Sequence, residues 1–175
     1  MELIFTDKAS DVDLEKLMDI YEQSNRENLS MAKSIIGKNS DKFDENYLYQ
    51  VVRKSHKAYI SDDFLKNHRN KLAVLIDDGE YLSALRLFYK GEYYLLEALE
   101  TNPKYRRSGY GERLVREVIK LLEKGRVIKS EVAISNEKSL KLHKKVGFKL
   151  EKIEKITVIW YLKFVEIKWW NIEGF

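Results

Sequence analysis

The sequence predicts an α/β (α+β) domain, a mixed and mostly antiparallel sheet flanked by helices. Three observations carry that prediction. Two β-prone runs, Leu72–Ile76 and Tyr81–Tyr89, are joined by Asp77-Asp78-Gly79, and an Asp-Gly pair between such runs is a hairpin signal. Directly after Pro103, the lone proline, the apolar spacing switches from two residues to 3.6. β-prone segments then return on both sides of a short helical stretch, Asn136–Lys145. At 175 residues, and roughly 100 to 200 residues per domain, the chain makes one domain with a real core, spanning 1–175.

The elements follow in order. Glu2 to Thr6 reads as a first strand. Asp11-Val12-Asp13 gives a helix an acidic start that complements its dipole, and Leu14, Leu17, Met18 and Tyr21 recur at helical spacing. Gln23 to Asn70 is polar and dotted with tyrosines; Tyr47, Tyr49, Val51 and Val52 mark a second helical stretch ending near His68. The hairpin supplies two strands, and Lys90-Gly91-Glu92 turns into Tyr93–Thr101, so three strands form an antiparallel meander. Leu114, Val115, Val118, Leu121 and Leu122 make the apolar stripe of a helix that Gly125 ends. Val127 to Ile134 is a fifth strand, and Gly147 caps the helix from Asn136 to Lys145. Lys149 to Trp170 holds no glycine, proline, asparagine or aspartate for a tight turn, so it reads as one long strand or a strand shared with another subunit. Three regions result: 1–70, 71–148 and 149–175. No linker or repeat separates them.

Composition narrows the chemistry. Lys and Arg number 32 against 28 Asp and Glu, and a net charge of +4 argues against a nucleic-acid partner unless the charges cluster. Without cysteine there are no disulfides, thiolate zinc sites, iron-sulfur clusters or cysteine nucleophile, which leaves metal-free or carboxylate and imidazole chemistry. His56 and His68 have no metal-ligand spacing and read as surface residues. The first residues carry no basic leader, and the apolar run Val158–Leu162 stops at Lys163, far short of the ~20 residues that span a bilayer. These features point to the cytoplasm and away from membranes. Trp169 and Trp170 would be costly to leave exposed, which suggests a homodimer through the C-terminal strands.

The chemistry-bearing stretch surrounds Pro103, from Leu99 to Leu114. A strand runs into a loop bearing Gly109 and Gly111 that opens directly into an amphipathic helix. Glycines let the backbone approach a ligand closely, and the N–H groups of a first helical turn meet an anion with the positive end of the dipole behind them. Arg106 and Arg107 add positive charge at the rim, which makes a phosphate cradle; a plain glycine loop before a surface helix is the alternative. Neither a Gly-x-Gly-x-x-Gly fingerprint nor a Gly-Lys-Ser/Thr P-loop is present, and strands joined by hairpins have the wrong connectivity for a doubly wound sheet.

Arg106-Arg107-Ser108-Gly109-Tyr110-Gly111 fits every fixed position of Arg/Gln-x-x-Gly-x-Gly/Ala, the acyl-CoA signature of the GNAT superfamily of N-acetyltransferases, and the sequence resembles that superfamily here. A second family element, an Asn, a short helix and a Gly-Phe pair, is matched by Asn136, Ser139–Val146 and Gly147-Phe148. The similarity covers Leu72 to Phe148, and the N-terminal region by architecture. It implies a sheet splayed between its fourth and fifth strands, with acetyl-CoA as co-substrate and no metal. Region 71–148 becomes the acetyl-CoA-binding core, and 1–70 carries acceptor-side helices. The backbone of Leu99, Glu100 and Thr101 would pair with the pantetheine arm. N–H groups of Arg107, Ser108, Gly109, Tyr110, Gly111 and Glu112 would take the pyrophosphate, with Arg106 at the rim. Asn136 would fix the cofactor near the thioester, beside an ordinary role as helix cap.

Acetyl transfer to nitrogen requires an amine of pKa ~10.4 to lose a proton before it attacks the thioester. Absence of cysteine favours direct attack in a ternary complex. Glu97, on the fourth strand, shares the face of Tyr93, Leu95, Leu99 and Thr101 by the two-residue period. Glu131 precedes Asn136 by five residues, where some family members carry a catalytic glutamate. Glu100 points to the other face unless a bulge intervenes, as the family often has. Each reads equally as a solvated or ion-paired strand carboxylate. His143 lies seven residues after Asn136, where the family usually has a tyrosine thought to protonate the leaving thiolate. Its ordinary pKa of ~6.5 lies below the ~8.5 of a thiol, so it would hydrogen-bond the sulfur, or donate if its pKa were raised. A small-molecule amine is the first acceptor class and a protein lysine or N-terminus the second. Asp41, Asp44, Glu45, Asp62 and Asp63 would attract a cation, and Tyr47, Tyr49 and Tyr59 would line its pocket. Two rivals stand beside this reading. One is a non-catalytic acyl-CoA-binding regulatory domain, motivated by the missing tyrosine. The other is a nucleic-acid module using Lys138, Lys141, Lys144, Lys145, Lys149 and Lys152, which would equally suit the 3′-phosphate of coenzyme A.

Overall fold

A computed structural model describes residues 1–122, 125–154 and 157–163. Its strands are β1 (Glu2–Thr6), β2 (Lys71–Asp77), β3 (Glu80–Tyr89), β4 (Tyr93–Thr101), β5 (Val127–Ala133), β6 (Lys149–Glu154) and β7 (Thr157–Lys163). The helices are α1 (Leu14–Ile20), α2 (Glu22–Glu27), α3 (Leu29–Ile36), α4 (Glu45–Ala58), α5 (Tyr110–Leu121) and α6 (Glu137–Lys145). All seven strands share one sheet in the order β1-β2-β3-β4-β5-β7-β6. Every neighbouring pair is antiparallel except β4 with β5, which is parallel and connected through α5. The β2–β3 turn is a two-residue loop whose residues, Asp78 (φ 47°) and Gly79 (φ 75°), both take the positive φ that matches strand twist.

Apolar clusters cover both faces of the sheet. Leu72, Val74 and Ala84 pack with Leu17, Met18 and Tyr21 of the α1 segment, and Ile60 and Phe64 close that side. Ala73, Leu75, Leu85, Leu87, Leu96 and Ile128 turn the other way, onto Leu114, Val115 and Val118 of α5. This two-sided burial is why β2 reads as a continuous apolar run instead of an alternating one. Helix α5 ends at Leu121, whose side chain is exposed, earlier than Gly125.

Two expectations are corrected by the fold. The polar stretch after Gln23 contains three helices, not one: α2 and α3 precede α4, which stops at Ala58 and loosens into a wider π-type turn over Tyr59–Phe64. Arg53 of α4 pairs with Asp19 (2.9 Å) and Glu15 (3.1 Å), so part of this region is tied to α1 by charge. Among the described residues, 149–154 and 157–163 are two strands paired within the chain, β6 with β7, in place of one long strand. Strand β7 completes the edge of β5 and places Trp160 and Leu162 in the α5-side core. Trp169 and Trp170, on which the homodimer expectation rests, lie outside the described residues. Among those described, no helix is long and apolar enough to cross a membrane.

Candidate active site

The parallel pairing of β4 and β5 ends at the rung Leu96–Ser130, after which β4 continues to Thr101 and β5 to Ala133 without further rungs. The two strands form a fork. At its start β4 carries a bulge: Ala98 has φ 48°, and Ala98 with Leu99 occupies the place opposite Leu85 between the pairs Arg86–Glu97 and Ala84–Glu100. The buried Tyr21 hydroxyl donates to the Ala98 carbonyl at 3.2 Å and anchors it, and burial raises the pKa of that hydroxyl. The extra residue reverses the parity of the strand. Leu99 joins the α5-side cluster, and Thr101 sits beside Gly111 of α5, whereas Glu100 joins Glu97 on the α1–α2 side. The expectation that Glu97 shares a face with Leu99 and Thr101 is therefore wrong; a bulge intervenes, and Glu100 shares the Glu97 face. Burial pushes the Glu100 carboxyl up, while the Ser24 hydroxyl and Arg106 pull it back.

Beyond the fork the chain forms the cradle. Asn102 caps a short 3-10 turn, accepting from the Lys104 N–H at 3.0 Å, and Pro103 opens it. Arg107 (φ 66°) and Gly109 (φ 79°) both take left-handed backbone, and Gly109 is the residue before the first turn of α5. Glycine offers no side chain to cap that turn, so the N–H groups of Tyr110, Gly111 and Glu112 are left for a ligand. A Cβ on Gly111 would lie 3.3 Å from Thr101 Oγ1, so glycine there lets α5 sit tightly on β4. The Arg106 guanidinium donates to the Gln23 side chain of α2 and, at 3.4 Å, to the Thr101 carbonyl. Glu112 pairs with Lys145 (2.7 Å) and Arg116 (3.1 Å), which hold its carboxyl below the usual range.

Helix α6 brings the second motif to the same place. Asn136 Oδ1 accepts from the Ser139 N–H at 3.1 Å, so it does cap the helix. At the other end Gly147 (φ 98°) donates to the Lys144 carbonyl and Phe148 to the His143 carbonyl, a Schellman closure. Phe148 then lies edge-on to the His143 ring, with centroids 4.9 Å apart. His143 is 2% exposed. Its Nδ1 lies 2.8 Å from the Ser139 carbonyl and its Nε2 2.8 Å from Ser130 Oγ. A carbonyl only accepts, so the ring proton is on Nδ1 and the Ser130 hydroxyl donates to Nε2. Burial lowers the pKa of this imidazole, against the Ser139 carbonyl that raises it.

Fork and cradle open into one cavity of about 1110 Å³. Glu97, Glu131, His143, Leu99, Glu100, Thr101, Arg106, Arg107, Gly109, Tyr110, Gly111, Glu112 and Asn136 all line it; Ser108 does not. Glu97 and Glu131 each directly follow the last rung, one on each prong, on the face opposite Leu96 and Ser130. Lys138, Lys141 and Lys145 line the wall, whereas Lys144, Lys149 and Lys152 lie off it. The acids at positions 41 to 63 and Tyr47, Tyr49 and Tyr59 also lie off it; from the N-terminal region it is Gln23, Ser24 and Glu27 of α2 that line it. Sequence reasoning missed those three, since their helix is short and polar, and it missed Ser130. A signal for Ser130 existed: it is the polar member of the buried alternation Ile128, Ser130, Val132. His56 is not the surface residue expected from its polar surroundings. It is half-buried: Nδ1 lies 2.8 Å from Asn25 Oδ1 and Nε2 faces Arg86, and burial followed by Arg86 brings its pKa down to about 4. His68 is exposed.

Comparison with known proteins finds this fold elsewhere. The chain has the fold of the PaiA N-acetyltransferase from Thermoplasma acidophilum, solved in complex with coenzyme A, at 18% identity over 94% of this chain and 100% of that one, with a TM-score of 0.62. It is also similar to the ribosomal-protein-S18-alanine N-acetyltransferase from Escherichia coli, at 19% identity over 64% and 76% of the two chains, with a TM-score of 0.51. At these identities the likeness concerns the fold. Among curated proteins no sequence match is found. The model of the acetyltransferase (GNAT) family matches residues 36–148, more than half of the chain, a span that holds the bulged strand, the cradle and the second motif. On that match, the chain belongs to the GNAT acetyltransferase family, whose members are acetyl-CoA-dependent acyltransferases.

Proposed function

We propose that this protein transfers the acetyl group of acetyl-CoA directly to the nitrogen of a small-molecule amine, with both substrates bound in the fork. The observation that carries this reading is the fork itself: an anion cradle on one wall and a carboxylate on each prong just past the last rung. The residues fit acetyl-CoA. The N–H groups of Tyr110 to Glu112 hold the pyrophosphate, and Lys138 and Lys141 suit the further phosphate. The edge of β4 from Leu99 to Thr101, unpaired on the β5 side, receives the pantetheine as an added strand. The thioester supplies the activated acetyl group.

Glu97 and Glu131 receive the amine and take its proton, directly or through water, a role that typically contributes 10²- to 10⁴-fold in rate. Glu27 and Glu100 add negative charge on the same side, so the site favours an acceptor that arrives as a cation. Because α2 is fastened to the cradle through Gln23 and Arg106, the acceptor end is walled, which suits a small amine better than a folded protein. We assign the proton of the departing sulfur to solvent instead of His143, whose ring N–H is spent on the Ser139 carbonyl. The test is a panel of small amines and lysine or N-terminal peptides, followed by coenzyme A thiol release and product mass. Amine-dependent release with an N-acetylated small product supports the reading. A product found with peptides alone would move the acceptor to protein, and binding of acetyl-CoA with no product would make the chain a regulatory domain.

A further inference from the structure

Ser130 and His143 form a buried pair at the base of the fork that the transfer mechanism leaves unused. Both are 2% exposed, yet both line the cavity. Ser130 belongs to the last rung between the prongs, so its hydroxyl lies where the strands part. The pair is ordered as a nucleophile, its base and an orienting group. Ser130 Oγ donates to His143 Nε2 at 2.8 Å, and His143 Nδ1–H donates to the Ser139 carbonyl at 2.8 Å, which fixes the tautomer with a free lone pair toward the serine. Phe148 and Trp160 flank the ring, at 4.9 and 6.3 Å between centroids, and hold it in that orientation. A neutral imidazole in a dry setting is the form a general base needs, and burial keeps it neutral.

We propose that Ser130 is an acyl acceptor: with no amine bound, His143 activates it to attack the thioester, and the protein slowly hydrolyses acetyl-CoA through an acetyl-serine. This rests on the reading of the fork as the acetyl-CoA site. In the first step the Ser130 O–H proton passes to His143 Nε2, Ser130 Oγ bonds to the acetyl carbon, and the carbon–sulfur bond breaks. The sulfur leaves with the proton from Nε2, giving acetyl-Ser130 and the free thiol. In the second step a water attacks the acetyl carbon and gives a proton to His143 Nε2; that proton passes to Ser130 Oγ as the Oγ–acetyl bond breaks, and acetic acid leaves and ionises to acetate.

The experiment incubates the full chain with acetyl-CoA and no amine, follows free thiol, and maps acetyl mass by digestion and tandem mass spectrometry after acid quench. Acetyl-CoA binding is measured separately by calorimetry. The expected result is thiol release reduced about 100-fold or more by Ser130→Ala or His143→Phe, with acetyl mass on the peptide holding Ser130 in the wild type. Ser130→Cys, which keeps a nucleophile on the same Cβ, tests the assignment if the alanine variant folds poorly: it should collect acetyl mass at that position. Normal acetyl-CoA binding with no acetyl mass at position 130, and thiol release equal in wild type and Ser130→Ala, overturns the proposal while leaving amine transfer standing. Failure of acetyl-CoA to bind overturns both.

Discussion

Gly109→Val separates the cradle's binding role from its part in the fold. Gly109 has φ 79°, and a Cβ built there meets nothing within 4 Å, so the substitution creates no clash in the ligand-free protein. What remains is left-handed strain, about 1 to 2 kcal/mol for a non-glycine residue. Loss of glycine's freedom in the unfolded chain offsets about 0.4 to 1 kcal/mol of that. The net destabilisation is therefore about 1 kcal/mol, small against the ~5–15 kcal/mol of a typical domain. Binding should suffer far more. In the proposed binding mode the pyrophosphate approaches the first turn of α5 through the space beside Gly109, and hydrogen bonds to a charged group contribute about 1.5 to 3 kcal/mol each. Losing two weakens acetyl-CoA by roughly 100-fold or more. Gly79→Val is the control: Gly79, in the two-residue β2–β3 turn, also has positive φ (75°) and open space, but lies off the cavity. Urea unfolding should show similar small losses for both variants, and calorimetry a binding loss in Gly109→Val alone. A folded Gly109→Val protein binding acetyl-CoA within about threefold of wild type refutes the cradle assignment.

Three more outcomes follow from the same geometry. Glu97→Gln or Glu131→Gln should each lower kcat about tenfold, and the double variant about 100-fold or more, with activity recovering as pH rises and the amine sheds its own proton; an unaltered pH–rate profile in the double variant contradicts the base assignment. His56 should make the fold acid-sensitive. Its pKa is about 4 when folded against 6.5 unfolded, so the unfolded chain binds the extra proton, and stability present above pH 6.5 is lost as pH falls towards 4. At pH 5 that loss is about 2 kcal/mol, and urea midpoints at pH 7 and 5 should converge in His56→Gln relative to wild type. Lys138→Ala combined with Lys141→Ala should weaken acetyl-CoA about threefold to tenfold at low salt, with the difference shrinking near about 0.5 M salt.

How far the sequence reveals the molecule depends on how local each determinant is. Asp78-Gly79 and the Gly109–Gly111 cradle are visible because positive φ and an uncapped first turn demand particular residues at particular places. Gly147 and Phe148 are visible for the same reason. The bulge at Ala98 is not local. It arises from two residues of β4 facing Leu85 alone, and is anchored from 77 positions away by Tyr21, so no period within β4 foretells that Glu100 joins Glu97. His56 looks solvated because its neighbours in α4 are polar; its burial comes from Tyr21, Asn25 and Arg86 on other elements. Nor does any turn residue from 149 to 163 mark the division into β6 and β7, whose pairing with each other and with β5 is long-range.

Amide-resolved titration of the labelled protein with acetyl-CoA tests the central claim most directly, that acetyl-CoA occupies the β4–β5 fork with its pyrophosphate on the first turn of α5. The account predicts the largest resonance shifts at Gly109 to Glu112 and at Leu99 to Thr101, with smaller ones at Ser130 and Asn136 and none at Gly37. Shifts confined to surfaces away from the fork, or saturating binding that leaves Gly109 to Glu112 unmoved, would contradict it.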